Sequence, residues 1–301
     1  MIDISEKIET LRSAIAATEV RARQETLERA WRGETPKGEV LVVARAAGVL
    51  AAKKTPELIP YCHPLALDKV AIQFEKGEGR IEVRAEVKAI GRTGVEMEAL
   101  TAATVAALTV YDMVKGIDKD VTLGETRLLE KRGGKSDYIE SFPLPLKAAV
   151  LVTSDSVSAG KKGDKSGKLI CEAMAKFPVE VLSYEVIPDD REKIRAKLLE
   201  YVERGFDLVL STGGTGLGPR DVTAEVLREI AEREIPGIGE AMRVYGQRRT
   251  PYAMLSRGLA AQRGKTLLLT LPGSSTGVKE SIAALFPNVL HAFNMMRGGG
   301  H

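Results

Sequence analysis

Residues 91–116 carry ionisable side chains only near the two ends of the segment. Glu96 and Glu98 stand near its start, and Asp112 and Lys115 stand three residues apart near its end. Buried carboxylates are costly unless they are paired or used in chemistry, so this arrangement predicts one wall of an active site. Two other interpretations are an edge strand that presents both glutamates and a simple i,i+3 ion pair between Asp112 and Lys115.

Four further residues in the first half could take part in chemistry. His63 lies on a connector bracketed by two prolines, where an isolated histidine is more often a packed core residue than a catalyst. Lys37 alone is typical of a surface lysine. Lys131 and Lys135 flank two glycines, which indicates either a phosphate-gripping loop or a solvated turn.

A glycine-rich segment in the second half, GGTGLGPRDVT, follows the apolar run DLVLST and leads into a helical pattern. Backbone N–H groups of such a loop can approach an anion where a parallel strand ends and a helix begins, so it predicts a phosphate or nucleotide cradle. It is not a Walker A loop. Asp221, within this loop, and Asp189, in VIPDD, are candidate site residues, and each could instead cap the helix that follows.

In the first half, the elements that must position these side chains are helices and hairpin strands. The Ala-rich run between Glu98 and Asp112 predicts a buried helix. The runs KVAIQFEKG and RIEVRAEVKAI alternate with period two around a turn at residues 76–79, which predicts a β-hairpin. Segregated helices and hairpins indicate an α+β domain with an antiparallel sheet.

The second half follows a different pattern after SFPLPLK at residues 141–147, where we place the linker. Apolar strands alternate with helices, including one at residues 190–203 and a long final helix at residues 276–296. This alternation indicates an α/β, three-layer, doubly wound and mostly parallel sheet. The predicted domains are therefore residues 1–142 and 146–301.

Composition excludes several classes of protein. The chain has 301 residues, of which 44% are hydrophobic, and 44 Lys and Arg residues against 41 Asp and Glu residues, so charge gives no reason to expect nucleic acid as a partner. Two cysteines are too few for a disulfide framework. No signal peptide or bilayer-length uncharged run is evident, so we expect a cytoplasmic protein without a membrane partner.

The first half resembles the MoaC family, cyclic pyranopterin monophosphate synthases, in four segments that occur in order. They are KGEV, LIPYCHPLALDKV, TGVEMEALTAATVAALTVYDMVKG and LLEKRGGKS. The resemblance implies a ferredoxin-like fold and a lyase that converts a cyclised GTP derivative (3',8-cyclo-7,8-dihydro-GTP) to cyclic pyranopterin monophosphate with release of pyrophosphate. It also implies that seven residues occupy catalytic positions, namely Lys37, His63, Glu96, Glu98, Asp112, Lys115 and Lys131.

These residue types suit a substrate that carries a triphosphate. Lysines, with Lys135 as a further candidate, can bind the phosphates, and Lys115 with Asp112 is the predicted acid/base pair. No tightly bound metal is predicted in this domain. Fourteen positions separate Glu98 from Asp112, about 21 Å along one helix. We therefore predict that each site is completed by a neighbouring copy of the chain.

The second half resembles the MoaB/MogA family, which adenylylates molybdopterin with ATP and magnesium. The segments are TSDSVSAGKKGDKSG, IPDD, STGGTGLGPRDVT, EIPGIGEAMR, LSRG and LPGSSTGVKES. The resemblance carries Asp189 and Asp221 onto catalytic positions, and we assign Mg²⁺ to both because carboxylates face a triphosphate productively only across a cation. The implied binding residues are Ser154, Asp164, Ser166, Gly213, Gly214, Thr215, Gly216, Pro272, Gly273 and Ser274.

Two functions follow for the whole chain. The first is a bifunctional enzyme of molybdenum cofactor biosynthesis, a lyase joined to a nucleotidyltransferase. The alternative is a MoaC-type enzyme fused to a passive molybdopterin-binding or assembly module without adenylyltransferase activity. The resemblance also implies three-fold assemblies of both domains, and hence a homo-hexamer.

Overall fold

The computed structural model describes residues 1–299, and for residues 135 and 136 only the backbone. The chain divides into two compact units, Met1–Asp137 and Tyr138–His301. The division falls a few residues before the boundary that the sequence suggests at residues 142–146. In the second unit, Glu140 contacts His291 and Asn294, and the Phe142 ring packs edge-on against the Phe293 ring.

The first unit is a five-stranded antiparallel sheet with helices packed on it. The strands are β1 (Thr10–Arg21), β2 (Lys69–Gly77), β3 (Arg80–Gly91), β4 (Thr122–Leu123) and β5 (Arg127–Arg132). The helices are α1 (Gln24–Arg32), α2 (Val40–Lys53), α3 (Thr55–Leu58) and α4 (Glu96–Val114). Strand order is β2-β3-β1-β4, with β5 also paired to β1, so the predicted hairpin and the predicted antiparallel sheet are confirmed.

Helix α4 is the central helix of the first unit. Its small residues let α2 approach closely, since a Cβ added to Gly48 of α2 would lie 3.0 Å from the Ala102 carbonyl oxygen. The predicted buried helix is confirmed on the face that packs in this unit, where Ala102, Ala103 and Ala106 are buried, while Thr104 and Leu108 are exposed on its outer face. Helix α4 is also the one described helix long and apolar enough to cross a membrane, but half of it is buried in this unit, as expected for a core helix.

The second unit contains a six-stranded mixed sheet in the order β7-β6-β8-β11-β10-β9. The strands are β6 (Leu146–Thr153), β7 (Val179–Ile187), β8 (Leu208–Thr212), β9 (Arg233–Glu234), β10 (Ala260–Arg263) and β11 (Thr266–Leu271). The helices are α5 (Asp155–Ser158), α6 (Ser166–Met174), α7 (Arg191–Glu203), α8 (Thr223–Ile230), α9 (Pro236–Gln247), α10 (Ser275–Leu285) and α11 (His291–Met296). Short 3₁₀ helices occupy Pro251–Leu255 and Asn288–Leu290 of this unit, and Lys135–Tyr138 where the chain passes from the first unit to the second.

Both faces of this sheet are covered, which makes the unit three-layered. Ala148 and Val150 of β6 belong to one buried cluster, and Ala149 and Leu151 belong to the cluster on the opposite face. Strands β7, β6, β8 and β11 are parallel, whereas β10 and β9 add an antiparallel edge that the sequence pattern did not reveal. The predicted long final helix is wrong, because α10 ends at Leu285, before Pro287, which cannot donate a helical hydrogen bond.

Candidate active sites

One cluster of charged side chains in the first unit lies at the carboxyl end of α4. The Lys37 ammonium donates to the Asp112 carboxylate at 2.7 Å and to the Asp112 carbonyl at 2.9 Å. Lys115 lies 2.8 Å from the other oxygen of the same carboxylate. The i,i+3 ion pair is therefore real but has a third member, Lys37, contributed by the loop before α2. Hydrogen bonds from Lys115 and Lys37 lower the pKa of Asp112 to about 2, and Asp112 in turn raises the pKa of Lys115.

A second group of side chains lies at the amino end of α4. Glu98 is buried, with 1% of its surface exposed, and its Oε2 atom has no hydrogen-bond partner. Its Oε1 atom lies 3.4 Å from the Cys62 thiol, which donates to it. Burial raises the pKa of Glu98, and burial together with the Glu98 charge raises the pKa of Cys62 to about 11. Cys62, beside His63 on the proline-bracketed connector, was not among the sequence candidates, although its position next to His63 is a signal that could have singled it out.

Glu96 differs from Glu98 although both lie in the first turn of α4, so the edge-strand interpretation is wrong. Its carboxylate lies 3.6 Å from the Lys131 ammonium. Both groups line a recess of about 60 Å³ together with Arg12, a buried arginine that sequence reasoning missed. Because α4 turns by about 100° per residue, positions 96 and 98 point in different directions.

The structure describes the side chain of only one of the two lysines in the predicted phosphate loop. Lys131 is exposed at the end of β5 and pairs with Glu96, whereas the side chain of Lys135 lies outside the described residues. The loop is folded back on β1 and is not a loose turn. At Gly133, φ is 89° and an added Cβ would lie 1.9 Å from the Leu11 carbonyl oxygen.

The structure thus brings together some of the seven candidate residues of the first unit and separates others. Lys37, Asp112 and Lys115 meet at one end of α4, while Glu96 and Glu98 belong to its first turn, about 21 Å away at the helical rise. A small molecule cannot contact both ends within one copy of the chain.

A cavity of about 400 Å³ opens in the second unit where β6 and β8 end. It is lined by nine of the twelve residues that the sequence suggested for this unit, namely Ser154, Asp164, Ser166, Asp189, Gly213, Gly214, Asp221, Gly273 and Ser274. Thr215, Gly216 and Pro272 are not in its lining. Thr215 is buried, and the Pro272 carbonyl accepts a hydrogen bond from Thr212 at 2.7 Å, so both support the walls.

Neither Asp189 nor Asp221 caps a helix, so that alternative is wrong for both. Asp190 caps α7, with its side chain accepting from the Lys193 N–H. Helix α8 begins at Thr223, and the Asp221 carboxylate instead accepts from the Gly218 N–H at 2.9 Å. Both residues line the cavity, and Asp189 also accepts from the N–H of Asp155, the first residue of α5.

Asp189 is an acid of the cavity with one unpartnered oxygen. One of its oxygens accepts from the Asp155 N–H at 2.9 Å, whereas its buried Oδ1 atom has no hydrogen-bond partner. Burial raises the pKa of Asp189, and the negative charges of Asp155 and Asp221 raise it further. A carboxylate desolvated beside two others is unfavourable unless a cation or a proton is added.

Two glycines of the GGTG loop must be glycines. Gly213 has a φ of 100°, and an added Cβ would lie 2.1 Å from the Thr153 carbonyl oxygen. Gly214 has a φ of 62°, and an added Cβ would lie 2.1 Å from the Thr223 hydroxyl. The left-handed conformation and the close approach keep the backbone of the loop at the cavity wall, where it can approach a ligand.

The other polar candidates shape the cavity through hydrogen bonds. Asp164 accepts from the Tyr184 hydroxyl at 2.6 Å and from the Gly167 and Lys168 N–H groups at the start of α6. The Ser166 hydroxyl donates to the Gly273 carbonyl at 2.8 Å, which joins two walls. Ser154 caps α5 and Ser274 caps α10.

Several residues around the cavity were missed by sequence reasoning. Lys162 and Lys165 line it and supply positive charge. Arg220 donates to both oxygens of Asp155, at 2.9 and 3.1 Å, and so bridges the loops after β6 and β8. The adjacency of Arg220 to Asp221 was the available signal. The partnership with Asp155, far away in sequence, was not visible.

The carboxylate oxygens of Asp189 and Asp221 suit a divalent cation that prefers oxygen ligands, such as Mg²⁺. No group of three or more His, Cys, Asp and Glu side chains forms a metal site among residues 1–299. Asp189 and Asp221 nevertheless offer an unpartnered, buried carboxylate oxygen and a second carboxylate, and Mg²⁺ commonly takes one or two protein carboxylates together with substrate phosphates. The residues present therefore fit a cation that arrives with a phosphate ligand.

Family models match both halves of the chain. Residues 1–134 match the MoaC family, and residues 149–292 match the family described as "Probable molybdopterin binding domain". A molybdenum cofactor biosynthesis bifunctional protein of Chlorobaculum tepidum is 41% identical over all of this chain and 96% of its own length.

Relatives of the separate halves are also found. A cyclic pyranopterin monophosphate synthase of Pelotomaculum thermopropionicum is 53% identical over 46% of this chain and 84% of its own length. The crystal structure of the molybdopterin biosynthesis enzyme MoaB from Thermus thermophilus is 44% identical, covering 51% of this chain and 97% of that chain, with a TM-score of 0.49.

Proposed function

The chain belongs to the family of bifunctional molybdenum cofactor biosynthesis proteins, and on that basis we propose that it carries two enzymatic activities. The first unit converts the cyclised GTP derivative to cyclic pyranopterin monophosphate and releases pyrophosphate. The second unit adenylylates molybdopterin with ATP and Mg²⁺. We further propose that the protein acts in the cytoplasm, without nucleic acid or membrane partners.

The first activity uses a site that two copies of the chain complete. The separation of the Lys37, Asp112 and Lys115 cluster from Glu98 along α4 supports this division. One copy contributes Lys37, Asp112 and Lys115, and its neighbour contributes His63, Glu96, Glu98 and Lys131. Such a site requires a homo-oligomer, and a hexamer with three-fold symmetry is the assembly we propose.

The chemistry of this site follows from the states of its groups. Lys37, Lys115 and Lys131 neutralise the triphosphate. A hydroxyl oxygen of the substrate attacks the α-phosphorus to form the cyclic phosphate, the bond to the β-phosphate breaks, and pyrophosphate leaves. The Lys115 ammonium, hydrogen-bonded to Asp112, is the proton donor, and Asp112 keeps that ammonium oriented. Glu98, whose pKa burial raises, can exchange a proton with the pterin precursor nearer neutral pH than an ordinary glutamate.

The second activity rests on one observation above all, the buried and unpartnered oxygen of Asp189 beside Asp221 in the cavity. A bound Mg²⁺ would neutralise phosphate charge there. The chain itself holds the reactants, since the glycine loop, Lys162 and Lys165 bind the phosphates at the cavity wall. A phosphate oxygen of molybdopterin attacks the α-phosphorus of ATP, the bond to the β-phosphate breaks, and pyrophosphate leaves.

The experiment that tests the second activity incubates the full-length protein with molybdopterin, ATP and Mg²⁺ and measures adenylylated molybdopterin and pyrophosphate. We expect turnover by the natural chain and its loss in Asp221→Ala, while cyclic pyranopterin monophosphate formation is retained. Binding of molybdopterin without consumption of ATP would establish the passive module instead. Formation of cyclic pyranopterin monophosphate in the same preparation shows that the first unit is folded, and binding of molybdopterin by Asp221→Ala shows that the second unit is folded.

A further inference from the structure

Arg257 lies beneath the loop that carries Asp221, and we call residues 216–221 the Asp221 loop. The guanidinium Nε donates to the Gly216 carbonyl at 2.7 Å, and Nη2 donates to the Asp221 carbonyl. The backbone N–H of Arg257 donates to the Thr215 carbonyl at 3.0 Å. One residue therefore holds both ends of the Asp221 loop.

The third donor of this guanidinium reaches helix α8. Nη1 pairs with Glu225, in the first turn of the helix that follows the Asp221 loop. The Arg257 side chain is 27% exposed, so these bonds lie mostly away from water. A guanidinium is planar and always charged, and its donors are fixed relative to one another, so it can set the spacing of three acceptors.

Arg257 does not contact the carboxylate of Asp221. That carboxylate accepts from the Gly218 N–H within the same loop. The loop is folded tightly around it, since a Cβ added to either Gly216 or Gly218 would lie 2.8 Å from Asp221 Oδ2. The position of the carboxylate thus follows from the shape of the loop, and Arg257 holds that shape.

Arg257 is itself held from the other side. Nη1 of Arg243, on α9, donates to the carbonyl of Gly258 at 3.0 Å. The segment that carries Arg257 is therefore fixed between α9 and the Asp221 loop, so the arginine acts from a rigid base.

We propose that Arg257 is the positioning residue of Asp221, which presents the Asp221 carboxylate to the divalent cation that accompanies the nucleotide phosphates. This inference rests on the proposed nucleotide-dependent function of the second unit. A residue that only stabilises the fold would affect binding of the nucleotide equally with and without the cation. A positioning residue acts through Asp221, so its replacement weakens nucleotide binding only when both Asp221 and the cation are present.

The test uses the full-length protein and α,β-methylene-ATP, an analogue that cannot be cleaved at the α-phosphate, in calorimetric titrations with Mg²⁺ and with EDTA. We expect Arg257→Gln to raise the Kd by about tenfold with Mg²⁺, the loss typical of a residue that orients a metal ligand. In EDTA the two proteins should bind the analogue alike. Arg257→Lys, which keeps the charge, should have a Kd with Mg²⁺ between those of the natural chain and of Arg257→Gln. It replaces Arg257→Gln in the test if that variant does not fold.

A double variant separates positioning from general stability. In an Asp221→Asn background, adding Arg257→Gln should change the Kd by less than about twofold, because the effect runs through Asp221. The matched control is Arg263→Gln, whose arginine donates to the Ile230 carbonyl at the far end of α8 and should leave the Kd unchanged.

The outcomes are distinguishable. If the natural chain does not bind α,β-methylene-ATP in the presence of Mg²⁺, the proposed adenylyltransferase function fails, and the inference fails with it. If the natural chain binds and Arg257→Gln binds equally well, or is weakened equally in EDTA, or adds its full effect to Asp221→Asn, only the inference is overturned.

Discussion

The two candidate sites differ in how the chain assembles them. In the second unit, Asp155, Asp189 and Asp221 follow three different strands and meet at one edge of a largely parallel sheet. In the first unit, Glu96 and Glu98 lie at one end of α4 and Asp112 lies at the other, each end with lysines from other segments. A parallel sheet collects distant loops at its carboxyl edge, whereas a long helix separates the residues that it carries.

The charges of the two sites are balanced differently as well. Asp112 is about half exposed and already paired with two lysines within its own unit. Asp189 has a buried oxygen without a partner, and two further carboxylates add to its charge. The Asp112 carboxylate of the first unit is therefore already paired with cations within one copy of the chain, whereas the buried oxygen of Asp189 in the second unit has no partner, although Lys162 and Lys165 line the same cavity.

The largest effect that we predict is on catalysis in the first unit. Lys115→Ala removes the proposed proton donor and should lower kcat for cyclic pyranopterin monophosphate formation by about 10³-fold, within the range for general acids. A steady-state assay measures this. The matched control is Lys54→Ala, which removes an exposed lysine paired with Glu57 and should leave kcat unchanged. A decrease of less than about tenfold for Lys115→Ala would contradict the assigned role.

The next effect concerns how tightly the second site is built. Gly213→Ala forces a Cβ against the Thr153 carbonyl in a left-handed conformation and should lower the free energy of unfolding of the second unit by about 2–4 kcal/mol. Urea unfolding gives the value. Gly163→Ala, whose Cβ would meet open space, should change it by less than about 0.5 kcal/mol. Equal effects of the two changes would show that the loop is not tightly packed.

A smaller effect concerns the cost of the buried Asp189 charge to the stability of the second unit. Because burial raises the pKa of Asp189, its carboxyl favours the folded unit in acid and disfavours it as pH rises through the folded pKa. Asp189→Asn should therefore raise the Tm of the second unit at neutral pH, by about 2 °C, and have no such effect in acid. Calorimetry at both pH values checks this. A lower Tm at neutral pH would mean that Asp189 is not an electrostatic liability.

The smallest effect concerns the contribution of the Asp112 ion pairs to the stability of the first unit. Lys115 and Lys37 lower the folded pKa of Asp112 to about 2, so its contribution to stability is present above its ordinary pKa and is lost as pH falls toward 2. The contribution is small because the pair is exposed. Carbon NMR of the Asp112 carboxyl should show a low pKa that rises in Lys37→Met, and an unchanged pKa in that variant would remove Lys37 from the cluster.

Local patterns in the sequence predicted much of this architecture. Period-two alternation of apolar residues predicted the β2–β3 hairpin. The GGTG loop, Asp189 and Asp221 were recognisable because glycines and acidic residues follow the ends of strands. What could not be predicted depends on contacts between distant residues. Lys37 reaches Asp112 across 75 positions, Arg220 reaches Asp155 across 65, and Arg257 reaches the Gly216 carbonyl across 41.

Burial was equally hard to infer from residue type. Glu96 and Glu98 are alike in sequence, yet one pairs with Lys131 at the surface and the other is buried beside Cys62. The two positions differ by about 200° around the helix axis, so the packing around α4 decides which is desolvated. The end of α10 was misjudged because helical periodicity continued through Pro287, whose backbone effect outweighs the pattern.

In our proposal, two copies of the chain share each site of the first unit, whereas one chain contains each site of the second. Complementation between inactive chains tests this difference most directly. Glu98→Gln and Lys115→Ala chains are co-expressed and purified as mixed oligomers, and so, separately, are Asp189→Asn and Asp221→Asn chains. Activity of each mixture is compared with that of its two parents.

We expect the first mixture to regain roughly a quarter of the natural sites, since half of the interfaces pair unlike chains and each of these contains one intact site of two. Cyclic pyranopterin monophosphate formation should return accordingly, while adenylylation should not return in the second mixture. No recovery in the first mixture, or recovery in the second, would contradict the account.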